Sequence, residues 1–376
     1  MNGTKIRVKN LALLIVGHLT GPVMNFAVAL YCTHDTQKEG YATLMTFLSM
    51  SLVFYGFNAK ASIQRLGAKD YNENTQIQNF LNLAYVPVLL GSILILDNGN
   101  YLLLTLTVWI YCSLEIVFER LRYTFCLNRY LLLRLLKATL DLFIFWFLYD
   151  TSNLLSSRIL SILFSSAITL CFLPRFIIFP FNLIKITAIK CHLKSNLGML
   201  FYSGSMIIFN FFDRFLLDYH EANYYYTYFL MSSAAGIQVM LGAALAPWFM
   251  KTRADMDSLR IREAFFFLSS QTVIALVVFC ALWVTVELSL IVLEGNWPLI
   301  FGGISVAFII QGQYIRRVQK FIADSRSLAL LKIVLPALCI SLLINYSFIP
   351  KFGVMASLCG LIISSIILLH GTYRVK

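Results

Sequence analysis
Residues 196–253 read NLGMLFYSGSMIIFNFFDRFLLDYHEANYYYTYFLMSSAAGIQVMLGAALAPWFMKTR. The stretch holds two apolar runs long enough to cross a bilayer, joined by a short polar link. The charged pair Asp213 and Arg214 sits inside the first run, where charge is costly. NLALLIVGHLTGPVMNFAVALY at 10–31 overlays the start of this stretch, about half a chain away. In overlays that differ by one residue, Asn10 meets Asn196, Val53 meets Val239 and Gly56 meets Gly242, and Asn25 meets Asn210. A shift of this size predicts an internal repeat.

Composition then fixes the class. Of 376 residues, 59% are hydrophobic and only 13% are charged. A soluble domain carries about 25% charged residues, so this chain is expected to be an integral membrane protein. The formal net charge is +12. Its distribution assigns that charge to membrane orientation and not to nucleic acid. The eight cysteines are scattered and form no CxxC pair, so they read as small hydrophobes. The first apolar run is too long for a signal peptide and reads as a spanning helix.

Twelve apolar segments follow, near 11–31, 41–58, 79–96, 101–118, 131–149, 158–175, 197–217, 223–249, 263–287, 297–315, 328–345 and 353–372. All must be helices, because an open sheet edge cannot sit in lipid. With both ends in the cytoplasm, 24 of the 30 lysines and arginines fall inside. Only Lys38, Arg158 and Lys351 are assigned to outer links, and Lys137, Arg214 and Lys332 to spans. The fold class is thus an all-α membrane protein of about twelve helices, in two six-helix lobes related by a parallel pseudo-twofold repeat. The basic connection at 176–196 separates the lobes, 1–185 and 186–376, and is expected to lie on the inner leaflet.

Polar residues within the spans are the candidates for function. His18, Pro22 and Asn25 share one face of the first helix, which suits either a bent, cavity-lining helix or a tight helix contact. In RLLKATLDLF the residues Arg134, Lys137 and Asp141 form one charged stripe. Lys137 is the natural partner of Asp141, and Glu115 or Glu119 can meet Arg134. The eleventh segment repeats the lysine as LLKIVLP, with Lys332 in place of Lys137. Lys332 has no charged stripe around it, which favours a lysine that snorkels to headgroups. Asp213 and Arg214 point about 100° apart, so they suit either a cavity or an interfacial role. Tyr224, Tyr225, Tyr226 and Tyr228 read as an interfacial aromatic belt. Gln238, mid-membrane, requires a hydrogen-bond partner.

No phosphate-binding glycine loop, nucleophile motif or metal-ligand cluster is present in the sequence. The expectation is therefore a transporter and not an enzyme, with no catalytic residues, metal or cofactor. Three stretches carry a resemblance: Gly56 with the basic turn from Lys60 to Arg65, Asp213-Arg214 with Leu216-Leu217 and the tyrosine-rich eighth helix, and Ile349-Pro350-Lys351-Phe352-Gly353-Val354. In these the chain resembles lipid-linked oligosaccharide flippases of the O-antigen type, within the superfamily that includes multidrug exporters. It departs from them in being short, and in having Met355-Ala356 after the turn.

The resemblance implies two lobes around a cavity that opens alternately to each side of a bacterial inner membrane. It implies a polyprenyl-pyrophosphate-linked sugar repeat as substrate, in surface polysaccharide synthesis. Partners would be membrane lipid, a coupling ion (H+ or Na+) and other polysaccharide-assembly proteins. Cavity cations would hold the pyrophosphate, and the candidate substrate-binding or cavity residues are Arg134, Lys137, Asp141, Asp213, Arg214, His18, Asn25 and Lys332. Two alternatives stand beside this reading: a small-molecule or multidrug exporter of the same fold, and a polysaccharide polymerase. The exporter of cations would need an acidic cavity, and the polymerase a long outer loop.

Overall fold
The computed structural model describes residues 8–49, 100–123, 126–149, 153–172, 186–251, 261–323 and 327–374. The expected third segment, 79–96, and half of the second, 41–58, lie outside the described residues, as do Gly56 and the basic turn after it. Every regular element among the described residues is helical. The helices are α1 (Val8–Tyr31), α2 (38–49), α3 (Asn100–Tyr123), α4 (Leu127–Tyr149), α5 (Leu154–Cys171), α6 (Ile186–Tyr219), α7 (Tyr225–Lys251), α8 (Ile261–Glu287), α9 (Trp297–Ala323), α10 (Ser327–Phe352) and α11 (Val354–Arg374). Six of the described helices are long and apolar enough to cross a membrane. The chain is a multi-pass membrane protein, as its composition required.

Contacts divide the chain into two compact units. One comprises Met1–Thr46 and Ser205–Lys376, the other Phe47–Gly204. In the first, α1 packs on α7, α7 on α9, α9 on α11 and α11 on α10. Its apolar cluster joins Leu241, Leu245 and Phe267, with Ile15 of α1 against them. In the second, α5 packs on both α3 and α4. Its core is Leu114, Val117, Phe118, Leu121, Tyr130 and Leu133. The sequence division at 185/186 puts α1 with α3 to α5, whereas contacts group it with α7.

Three boundaries differ from the sequence reading, each for a local reason. Asn153 caps α5 by accepting from the Ser156 backbone N–H at 2.8 Å, so the helix starts at Leu154, ahead of the expected 158. α6 begins at Ile186, inside the expected linker. At 34 residues it is about 50 Å long and exceeds the ~30 Å hydrocarbon core. Nothing at 186–196 breaks a helix, and a helix satisfies that backbone without help. α10 runs through Pro350 to Phe352, so the expected turn shrinks to Gly353. Gly353 has φ +51, a left-handed conformation that a residue without Cβ adopts freely.

Candidate functional site
The second unit holds the site, and α4 shows how. Tyr130, Leu133, Arg134, Lys137, Ala138, Asp141 and Phe145 recur every three or four residues and are all buried. Leu132, Leu135, Phe143, Trp146 and Phe147 are exposed on the other side. The helix is charged inward and apolar outward, the reverse of a helix in water. Lipid supplies the reason: it accepts exposed leucine and phenylalanine but not an unpaired ion.

Every charge on that buried stripe is paired. Arg134 makes a two-pronged bond to Glu115 of α3, Nη1 to Oε1 and Nη2 to Oε2, each at 2.6 Å. Its guanidinium also lies 4.1 Å from the Phe118 ring centre. Such forked, stacked geometry is available to arginine and not to lysine. Lys137 donates to Asp141 Oδ2 at 2.9 Å, one helical turn away. Its ammonium lies 5.1 Å from the Tyr111 ring centre. The remaining oxygen of Asp141 accepts from Arg158 Nη1 of α5, also at 2.9 Å. Arg158 is 1% exposed and Asp141 3%.

Arg158 corrects the sequence reading, which placed it in an outer link. It lies in the second turn of α5 and faces α4. A charge at the edge of an apolar segment looks like a loop residue when only hydropathy is read. Asn153, a capping residue just ahead of the apolar run, was the signal that moves the helix start back over Arg158. Among the described residues, these ion pairs therefore join three cations, Arg134, Lys137 and Arg158, to two carboxylates, Glu115 and Asp141. Counted over those residues, the cations exceed the carboxylates by one. A second ion pair on α3, Arg122 with Glu119 at 2.5 Å, is neutral in sum.

The first unit's counterpart of Lys137 sits differently. Lys332 is exposed and lies on the α10 stripe of Leu328, Leu335, Leu343 and Tyr346, all exposed. Lys137 and Lys332 share the Leu-Leu-Lys motif but sit on opposite kinds of face. Asp213 is buried and accepts from Tyr228 OH at 2.5 Å and Ser357 Oγ at 2.6 Å. Arg214 does not neutralise it; its guanidinium stands 5.1 Å from the Phe211 ring centre. Of the expected aromatic belt only Tyr224 is exposed. Tyr225, Tyr226 and Tyr228 are buried, because α7 turns them into the unit where two of their hydroxyls find acceptors, Ala29 O and Asp213. His18 is buried and Asn25 half-buried on α1, which continues through Pro22.

Gln238 finds Ser305 Oγ at 3.0 Å, and Gln271 donates to the Gln238 carbonyl at 3.3 Å. Gly312 leaves the room: a Cβ there would stand 1.9 Å from Gln271 Nε2. No group of histidine, cysteine, aspartate or glutamate able to hold a metal ion occurs among the described residues.

No family model matches the chain, and no curated protein matches it. Solved structures do. An outward-facing multidrug resistance MATE family transporter of the MOP superfamily is 13% identical with TM-score 0.64, over 98% of this chain and 95% of that one. The eukaryotic MATE transporter AtDTX14 is 14% identical with TM-score 0.67, over 97% and 94%. A MOP superfamily transporter from Pyrococcus furiosus is 13% identical with TM-score 0.63, over 98% and 95%. Its binding pocket is described as having reverse polarity, suggesting a different function. At these identities the likeness is one of fold. The fold is that of the MATE transporters, and it spans nearly the whole chain.

Proposed function
We propose that the chain is a flippase. It carries a polyprenyl-pyrophosphate-linked oligosaccharide repeat across a bacterial inner membrane for surface polysaccharide synthesis, by alternating access. Both termini face the cytoplasm, and the lobes 1–185 and 186–376 are the moving parts. One observation supports the reading: among the described residues of this group, the buried Arg134, Lys137 and Arg158 outnumber Glu115 and Asp141. A buried cationic surplus attracts a pyrophosphate and repels a cationic drug. The lipid tail can stay in the bilayer while the headgroup crosses the interior. Asp141 supplies an internal counter-ion for the empty state, which incoming phosphate displaces.

A second reading, export of small molecules, draws on the fold, since one of the similar structures is described as a multidrug resistance transporter. Deletion of the gene separates the two. The flippase reading expects lipid-linked repeat units to accumulate facing the cytoplasm while surface polysaccharide disappears. Undiminished surface glycan with increased drug sensitivity overturns it in favour of export.

A further inference from the structure
The last three helices, α9 to α11, contain no aspartate or glutamate, yet they carry Arg316, Arg317, Lys320, Lys332, Lys351 and Arg374. All but Lys351 lie at one end, and the register shows it. Gly303 faces Leu358, Gln311 Nε2 donates to Ser365 Oγ at 3.2 Å, and the Arg317 guanidinium stands 3.5 Å from the Tyr373 ring centre. α9 and α11 therefore run parallel, and the last turns of α9 meet the last turn of α11. A Cβ on Gly371 would stand 2.9 Å from Ile333 Cγ2, which brings Lys332 of α10 to the same level. Charge alone would make this end a diffuse basic surface, but Arg317 has a defined geometry. A guanidinium held against a ring face keeps its N–H edges free for an anion. Among the described residues its side chain forms no ion pair and no hydrogen bond.

The face of α11 decides the occupant. Met355, Cys359, Ile363, Ile366, His370 and Tyr373 recur every three or four residues and are all exposed. The first four are apolar, and the stripe turns polar only in the last turn. From Met355 to Tyr373 it rises about 27 Å, close to the ~30 Å hydrocarbon core. An acyl chain can lie along it, with Tyr373 at headgroup depth, where tyrosine is favoured. We propose that Arg317, Tyr373 and Arg374 bind the phosphodiester headgroup of an anionic phospholipid. The Arg317 guanidinium donates to phosphate oxygens through paired N–H groups, a geometry lysine lacks. Tyr373 holds it in place, and Arg374, exposed at the end of α11, adds a second positive charge. The bound lipid supplies the anion that these helices lack and ties α9 to α11. With both termini cytoplasmic, as proposed above, it belongs to the inner leaflet. The proposal needs only the membrane reading and does not depend on what is carried.

Native mass spectrometry of the full chain in detergent, with phosphatidylglycerol added, should show one lipid held more tightly than the rest. Phosphatidylcholine has the same phosphate but brings its own cation into basic surroundings, so it should bind more weakly. Arg317→Ala should weaken the tight binding at least about tenfold, the size of a lost hydrogen bond between ions. Arg317→Lys and Tyr373→Leu should each lose part of it, since either removes the fixed orientation. Arg374→Gln, at an exposed helix end, should weaken it while leaving the fold intact. Lys332→Ala is the control for diffuse attraction and should leave the tight lipid in place. Equal losses for Lys332→Ala and Arg317→Ala would mean a diffuse basic surface and overturn the site. Wild-type binding by both Arg317→Ala and Arg374→Gln would overturn it too, as would displacement of the lipid by inorganic phosphate. Tighter binding of a polyprenyl pyrophosphate than of phosphatidylglycerol would overturn the assignment to bulk lipid. A chain that binds phosphatidylglycerol as expected but moves no lipid-linked sugar counts against the flippase reading and leaves this site standing.

Discussion

Arg158 donates to Asp141 across 2.9 Å, from α5 to α4, on the one carboxylate oxygen that Lys137 does not hold. Two cations on one buried carboxylate bind α4 to α5. Removing Asp141 would leave both cations buried without this counter-ion, whereas removing one cation leaves the carboxylate paired with the other.

Arg158→Ala is expected to weaken the second unit by about 1.5–3 kcal/mol, the worth of a hydrogen bond to a charged group, because Asp141 keeps Lys137 as its counter-ion. Thermal unfolding in detergent, followed by tryptophan fluorescence, should show a clear drop in midpoint. Arg158→Lys should recover part of it. A midpoint equal to wild type for Arg158→Ala would mean that Asp141 is satisfied without α5.

Lys137 and Lys332 give a matched pair of tests. Lys137→Ala should abolish surface polysaccharide in a deletion strain, and Lys137→Arg should restore part of it. Lys332→Ala should support wild-type levels, because that side chain is exposed on an apolar stripe. Equal effects of the two alanine variants, at equal membrane levels, would contradict the assignment of the site to α4.

This pair also shows what the sequence can and cannot carry. Lys137 and Asp141 were legible because they lie one turn apart on the same helix, where spacing alone makes them neighbours. Arg158 was not, because its partner is on another helix and it stands at the edge of an apolar run. The Leu-Leu-Lys match between 135–137 and 330–332 does not say which face each lysine occupies. That depends on how the neighbouring helices pack. The tyrosines of α7 were misassigned for a similar reason: Tyr226 and Tyr228 look interfacial until their acceptors, Ala29 O and Asp213, are seen. The all-helical, many-spanning fold was legible throughout, since apolar length and the placement of basic residues suffice for it.

Arg134→Lys should destabilise although the charge is kept. Lysine cannot reproduce the fork onto Glu115 or the stacking on Phe118. A loss on the order of 1.5–3 kcal/mol is expected, the size of a hydrogen bond to a charged group. In a double-mutant cycle, Glu115→Gln should add little on top of Arg134→Lys. Full additivity would show that the two residues do not act as a pair.

Gly312→Ala places a methyl against Gln271, whose Nε2 would stand 1.9 Å away. Overpacking of this kind costs about 1–3 kcal/mol. Gln271→Ala in the same chain should recover part of the loss by clearing the space. Unfolding midpoints of the two singles and the double decide it; no recovery would mean that the close approach is relieved elsewhere.

The most direct measurement is translocation by purified protein. Proteoliposomes would carry a fluorescent polyprenyl-pyrophosphate oligosaccharide in one leaflet, with a quencher that cannot cross the membrane. The wild-type chain is expected to move the lipid to the other leaflet, with Lys137→Ala and Arg158→Ala inactive. Movement of cationic drugs but not of this lipid, or lipid movement indifferent to both substitutions, would contradict the account.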